Sequence, residues 1–413
     1  MKIQKAFPVP LFRDFKPHEP EHSPHRIDVS GITETIQRAL AAAGLDTRSG
    51  PMKGVTDTIH DALSAAGLTQ RSGTPSERGV TIEGTAREAD APYSDIDGTQ
   101  TRPASRVDES LPGAFLNRSF ANHAGTRDYM LYVPASYSAE SGEPVPVIVM
   151  LHGCTQSPDD FAAGTRMNAL ADEHGFLVIY PAQAANANGS RCWNWFRPED
   201  QVRDSGEPSL IAGITREVAS AYCVDARRIF VAGMSAGASM AVILGAMYPE
   251  LFGAVGAHSG LPYGAAHDMP SAFSAMKGGA ARPGPFRPSA ATPSHRAQGS
   301  SWTPTIIFHG DHDRTVNARN GDAIVEQVTV VASDRQPLRA KVQTGTAKGG
   351  RGYRRTDYVD DADQTIVEHW MVHGAGHAWS GGSPTGSFTD PTGPDASAEM
   401  IRFFLSRPRA GTS

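Results

Sequence analysis

The chain has 413 residues, 39% of them hydrophobic, with 38 basic against 44 acidic side chains and a net charge of −6. That length carries one large domain with additions, or two domains, and the acidic balance argues against nucleic acid as a main partner. No stretch approaches the roughly 18 apolar residues of a membrane span, and Met1 to Pro20 lacks the apolar core of a secretion signal, so a cytoplasmic protein without a membrane span is expected.

Residues 1–25 are proline-rich and polar and predict a flexible arm. An internal repeat follows: Gly31 to Leu45 returns as Gly54 to Leu68, 23 residues later. In each copy Ile32/Val55, Ile36/Ile59, Leu40/Leu63 and Ala43/Ala66 share one helical face, and Gly44 or Gly67 stands where a C-cap belongs. Two short helices cannot make a core alone. Residues 26–73 are therefore expected to pair with each other, to dock elsewhere or on a second copy, or to lie on an apolar surface. Residues 74–111, rich in Gly, Ser, Thr, Pro and acids, read as a disordered linker.

From residue 112 to 408 the texture changes, with 409–413 as a tail. Strand patterns at 127–133, 145–151, 177–180, 229–232, 254–257, 305–308 and 368–372 alternate with helical ones at 159–174, 209–222, 236–248, 321–331 and 396–405. Strands alternating with helices predict an α/β fold around a mainly parallel sheet. Residues 262–303, rich in Pro, Gly, Ser and Ala, interrupt the pattern and read as an excursion over the active-site face, or a cap.

Chemistry in such a sheet gathers at the C-terminal strand ends. The strand Arg228 to Ala232 runs into Gly233-Met234-Ser235-Ala236-Gly237, and a helix follows. A serine on a sharp strand-to-helix turn is lifted clear of the backbone, and the flanking glycines make room for it. Ser235 is the candidate nucleophile, and the Ala236 amide at the helix start is a candidate oxyanion donor. The turn His152-Gly153-Cys154 after another buried strand supplies the second donor, the Cys154 amide. The loop His309-Gly310-Asp311-His312-Asp313 offers an acid; its spacing favours Asp313, with Asp311 as the alternative. The glycine-rich loop His373-Gly374-Ala375-Gly376-His377 offers a base, with His377 better placed than His373. The order Ser235, Asp313, His377 is the α/β-hydrolase order. Trp193 and Trp195, in an aromatic cluster, and Trp379, beside the base, are candidate walls of a substrate groove. No metal or cofactor is expected: no Cys-x-x-Cys spacing occurs, and glycines oppose a metal-binding helix at His373 and His377. The three cysteines make no disulfide framework; reduced thiols are the first reading, and Cys154 with Cys192 is the pair to consider if one forms.

The stretches Leu151-His-Gly-Cys-Thr-Gln156, Cys192-Trp-Asn-Trp-Phe196, Gly233-Met-Ser-Ala-Gly237, Pro262-Tyr-Gly-Ala-Ala266 and Gly374-Ala-Gly-His-Ala-Trp-Ser-Gly381 resemble the polyhydroxybutyrate depolymerase family of esterases. The resemblance covers about residues 112–406. It implies an α/β-hydrolase domain with a serine nucleophile, acting on esters of 3-hydroxyalkanoates such as poly(3-hydroxybutyrate) or its oligomers. That family is also similar to feruloyl and acetylxylan esterases, so a plant-ester or short-chain carboxylesterase is the second expectation. Ala238 stands where a third glycine is common. The secretion signal and separate polymer-binding domain of the extracellular depolymerases are not recognised. A granule-surface or scaffold protein with a degenerate hydrolase domain is the non-enzyme alternative, and the intact triad pattern argues against it.

Overall fold

A computed structural model describes residues 111–278, 303–333 and 337–406. The arm, the repeat at 26–73, the linker and most of the 262–303 excursion lie outside the described residues. Twelve strands and seven α-helices occur among those that are described. Ten strands form one sheet: β1 (Ala114–Asn122), β2 (Gly125–Val133), β3 (Val145–Leu151), β4 (Leu177–Pro181), β5 (Val224–Met234), β6 (Ala254–His258), β7 (Thr305–Gly310), β8 (Arg339–Thr346), β9 (Gly352–Val359) and β10 (Thr365–Val372). Their order is β1-β2-β4-β3-β5-β6-β7-β10-β9-β8. The six strands from β4 to β10 run parallel, and antiparallel strands extend the sheet on both sides. A two-stranded ribbon pairs β11 (Trp379–Ser380) with β12 (Thr389–Asp390).

The parallel centre forms where the sequence is continuously apolar. Val147, Ile148, Val149, Met150 and Leu151 of β3 are fully buried, as are Leu177, Val178, Ile179 and Tyr180 of β4. Strands buried on both faces need helices on both faces. One face packs against α3 (Gly206–Ala221), α4 (Ala236–Met247) and α6 (Arg319–Ser333). The other packs against α1 (Pro158–Thr165), α2 (Met167–His174) and α7 (Ala396–Leu405). A further helix, α5 (Met269–Met276), opens the excursion after β6 and starts at a capping box built by Asp268 and Ser271. The single helix expected over 159–174 is two, because Arg166 turns left-handed at φ 55° between α1 and α2. Its guanidinium is drawn to Asp395 at 2.6 Å and to the Gly381 carbonyl at 3.0 Å.

β3 leads by way of α1 and α2 to β4 on one side, and β4 leads by way of α3 to β5 on the other side of β3. The chain therefore changes direction between β3 and β5, the switch point at which the loops leaving such strands diverge to form a crevice. In an open parallel sheet this is where a site forms.

Candidate active site

Ser235 follows β5 at that crevice. Its backbone sits at φ 56°, ψ −119°, a conformation that a non-glycine residue adopts only when its surroundings enforce it. Three observations show the enforcement. The Ser235 amide donates to the His258 carbonyl of β6 at 2.9 Å. A Cβ at Gly237 would collide with the carbonyl oxygens of Leu151 and His152. One at Gly233 would strike the backbone of Gly237 and Leu151. The two glycines thus let α4 close directly onto the end of β3, which brings the serine against the loop that leaves it. A Cβ built at Gly153 would lie 3.7 Å from the Ser235 Cβ.

That loop carries Cys154. Among the described residues neither the Cys154 amide nor the Ala236 amide donates a backbone hydrogen bond, which leaves both N–H groups for a ligand oxygen at the helix start. The loop is held firmly. Cys154 and Cys192 form a disulfide, so of the two sequence readings the bridged one describes the structure. Thr155 N–H donates to the Ser190 carbonyl at 2.7 Å, Trp193 Nε1–H to the His152 carbonyl at 3.1 Å, and Gln183 N–H to His152 Nε2 at 3.1 Å. Gly153 N–H donates to Gln156 Oε1 at 2.9 Å. Behind them the buried Glu207 accepts from Gln183 and from the backbone and side chain of Asn194.

On the other side of Ser235, Asp313 is buried in the loop after β7. Its Oδ1 accepts the amides of Thr315 at 2.8 Å and Val316 at 2.9 Å. Its Oδ2 accepts His377 Nδ1–H at 2.7 Å. Burial works to raise this carboxyl, but the His377 hydrogen bond and charge, with the Val316 amide, outweigh it and hold the acid below its ordinary value. The proton on Nδ1 leaves Nε2 as the bare nitrogen of neutral His377. Among the described residues His377 Nε2 and the Ser235 hydroxyl have no hydrogen-bond partner. Asp311, the alternative acid, faces His373 instead at 3.0 Å and also accepts the Gly374 amide at 2.7 Å.

Sequence reasoning missed two histidines here. His258, at the end of β6, accepts the Ser380 amide on Nε2 at 2.9 Å and is stacked between Phe308 and Trp379. Burial, then the neighbouring charges of His309 and His377, pushes it down to about 3. It thereby ties the segment just beyond His377 to the strand beside Ser235. His309, buried at the end of β7, donates Nε2–H to the Val316 carbonyl at 2.9 Å and lies 3.6 Å from Asp313 Oδ2. The only hint was their place at strand ends.

The tryptophans require a correction. Trp193 is 0% exposed and Trp379 1%, and their indole N–H groups serve the His152 carbonyl and Ser397 Oγ. Trp195 is buried edge-on against Phe196. These rings support the loops from beneath and do not wall an open groove, because a wide apolar ring beside a strand end gains more from core packing than from exposure. No three His, Cys, Asp or Glu side chains gather as metal ligands among the described residues, and no helix there is long and apolar enough to cross a membrane.

The parallel sheet, the switch-point crevice and the strained serine turn define an α/β-hydrolase fold. The family model "Esterase PHB depolymerase" matches residues 127–340, and the chain belongs to that family. It is 30% identical over 259 residues to poly(3-hydroxyalkanoate) depolymerase C of Paucimonas lemoignei, covering 63% of this chain and 60% of that one. It is 35% identical over 133 residues to feruloyl esterase B of Neurospora crassa, covering 32% and 43%. Among solved structures, the acetyl xylan esterase from Aspergillus awamori superposes with a TM-score of 0.55 at 20% identity, covering 71% of this chain and 99% of that one. The chain thus spans about 60% of the length of the depolymerase it matches.

Proposed function

We propose that the chain is a serine esterase that cleaves carboxylic esters through an acyl-enzyme, with poly(3-hydroxybutyrate) or its oligomers as substrate. The observation that carries the reading is the pairing of Asp313 with His377 on the face where Ser235 stands on its strained turn. His377 Nε2 takes the Ser235 proton as Oγ attacks the ester carbonyl. Asp313 holds the imidazole in the tautomer that makes this possible and supports the imidazolium that forms. The amides of Cys154 and Ala236 receive the oxyanion of the tetrahedral intermediate. His377 then gives its proton to the departing alcohol. Water repeats the cycle in the second half-reaction and frees Ser235.

The polyester substrate rests on the family and on the likeness to a depolymerase. A second reading, an aromatic or acetyl plant ester, is favoured by the likeness to feruloyl esterase B. The disulfide beside the site favours an oxidising compartment over the cytosol. Ser235→Ala is expected to lower turnover of p-nitrophenyl butyrate by about 10⁴-fold or more; near-normal turnover by that variant rejects the mechanism. Parallel assays on amorphous poly(3-hydroxybutyrate), its dimer ester, methyl ferulate and acetylxylan then separate the substrates. The polyester reading fails if the plant esters alone are cleaved.

A further inference from the structure

Among the described residues, eight that are not glycine hold a positive φ. Three have local reasons: Asp204 and Asp363 are aspartates in loops, and Arg166 closes a helix. The other five are Thr155, Arg191, Ser235, Ser259 and Phe388. All lie on the C-terminal side of the sheet or in segments bonded to it. Thr155 is in the Cys154 loop, Arg191 beside the bridged Cys192, Ser235 at the nucleophile position and Ser259 just after β6. Phe388, at φ 52°, precedes β12. For a bulky aromatic this backbone is an outlier that persists only where the surroundings over-determine it.

The surroundings of Phe388 are the two loops that flank Ser235. The Ser387 amide donates to Asp160 Oδ1 at 2.9 Å, and Gln156 Nε2 donates to the Ser387 carbonyl at 3.2 Å. The same Gln156 accepts the amide of Gly153, next to Cys154. On the other side the Trp379 amide, two residues past His377, donates to the Phe388 carbonyl at 2.6 Å. Phe388 is therefore pinned between the oxyanion loop and the base loop. Yet the residue is 48% exposed, whereas the tryptophans of the same loops are sealed in the core.

The geometry points to Phe388 as the specificity-determining residue of this site, presenting an apolar ring to the body of the ester beyond its scissile carbonyl. The assignment rests on the esterase reading above and adds a preference: extended or aromatic esters over acetate. Phe388 is among the exposed large hydrophobic residues, and the bonds on either side hold its backbone between the Gln156 loop and the segment just past His377.

The test compares the full-length protein with Phe388→Asn and Phe388→Trp on p-nitrophenyl acetate and p-nitrophenyl octanoate, with Tm measured alongside. Asparagine accepts the left-handed backbone, so Tm is expected to stay level or rise. The kcat/KM for octanoate is expected to fall about tenfold in Phe388→Asn, mainly through KM, while acetate changes less than about twofold. Tryptophan is expected to restore the octanoate-to-acetate ratio. An unchanged ratio in an active Phe388→Asn variant overturns the assignment, and so does an equal loss on both esters, which marks a purely structural role. If the wild-type protein turns over neither ester, the esterase reading itself falls and this assignment goes with it.

Discussion

The two loop clusters that face Ser235 are held by opposite means. On the oxyanion side, Cys154 is joined covalently to Cys192, and hydrogen bonds from its loop to the Ser190 carbonyl, the Trp193 indole and the Gln183 amide repeat the attachment. On the base side no covalent link exists among the described residues. Two Asp–His pairs, Asp313 with His377 and Asp311 with His373, join the loop after β7 to the loop after β10. The difference matches the tasks proposed for the two clusters. An oxyanion donor is a backbone amide whose value lies in staying still as charge develops. A general base must bind and release a proton, and a carboxylate–imidazole pair supports both states.

Three experiments press on that division. Asp313→Asn removes the tautomer control and is expected to lower kcat by about 10²–10⁴-fold. Asp311→Asn breaks only a half-exposed pair and is expected to cost less than about tenfold. Paired kcat measurements on one ester decide it, and equal losses would mean that both pairs serve the base, not one. Cys192→Ser opens a bridge spanning 38 residues. It is expected to lower stability by up to about 4 kcal/mol and kcat by about tenfold, with KM little changed. Denaturant melts and initial rates report the two separately. If stability drops while kcat holds, the hydrogen bonds alone fix the donor.

A further prediction concerns acid. His152 on the oxyanion side is pushed down to about 4, chiefly by burial, and His258 on the base side to about 3. Each accepts an amide hydrogen bond on its bare nitrogen. Their folded values lie below the unfolded one near 6.5, so below that pH the unfolded chain binds protons that the folded one refuses. The stability they contribute is complete above about pH 6.5 and is lost as pH falls toward 4 and 3. The slope is about 1.4 kcal/mol per pH unit for each histidine. Tm measured from pH 8 to pH 4 is expected to decline accordingly, and His258→Asn is expected to flatten the decline. An unchanged slope in that variant would move the acid sensitivity to the other buried histidines, His152, His309 and His369.

Much of this arrangement was legible in the sequence because its central strands are dense in apolar residues and end in glycine-flanked polar groups. The bounds of β3 and α7 match the apolar patterns residue for residue, and the turn at Ser235 and the Asp313–His377 pair stand where strand ends predict them. The margins were illegible for a physical reason. β8 reads Arg-Ala-Lys-Val-Gln-Thr-Gly-Thr and is exposed along nearly its whole length, so it carries no alternation for a pattern to reveal. β1 is likewise half-buried at most. The tryptophans misled because an aromatic near a catalytic motif signals proximity, while burial depends on neighbours distant in sequence. His258 and His309 stayed hidden because a histidine inside an apolar strand gains its role only when the facing loop arrives.

Ser235 follows the fifth strand of a ten-strand order, with four strands on one side of β5 and five on the other. Breathing of a sheet begins at its rims, and here those rims are the solvent-washed β1 and β8. Such fraying must peel away several fully paired strands before it reaches the serine turn. The paired amides of β3, β5 and β6 beneath Ser235 are therefore expected among the slowest to exchange. Loops can shift above Ser235 while the floor beneath it keeps its shape.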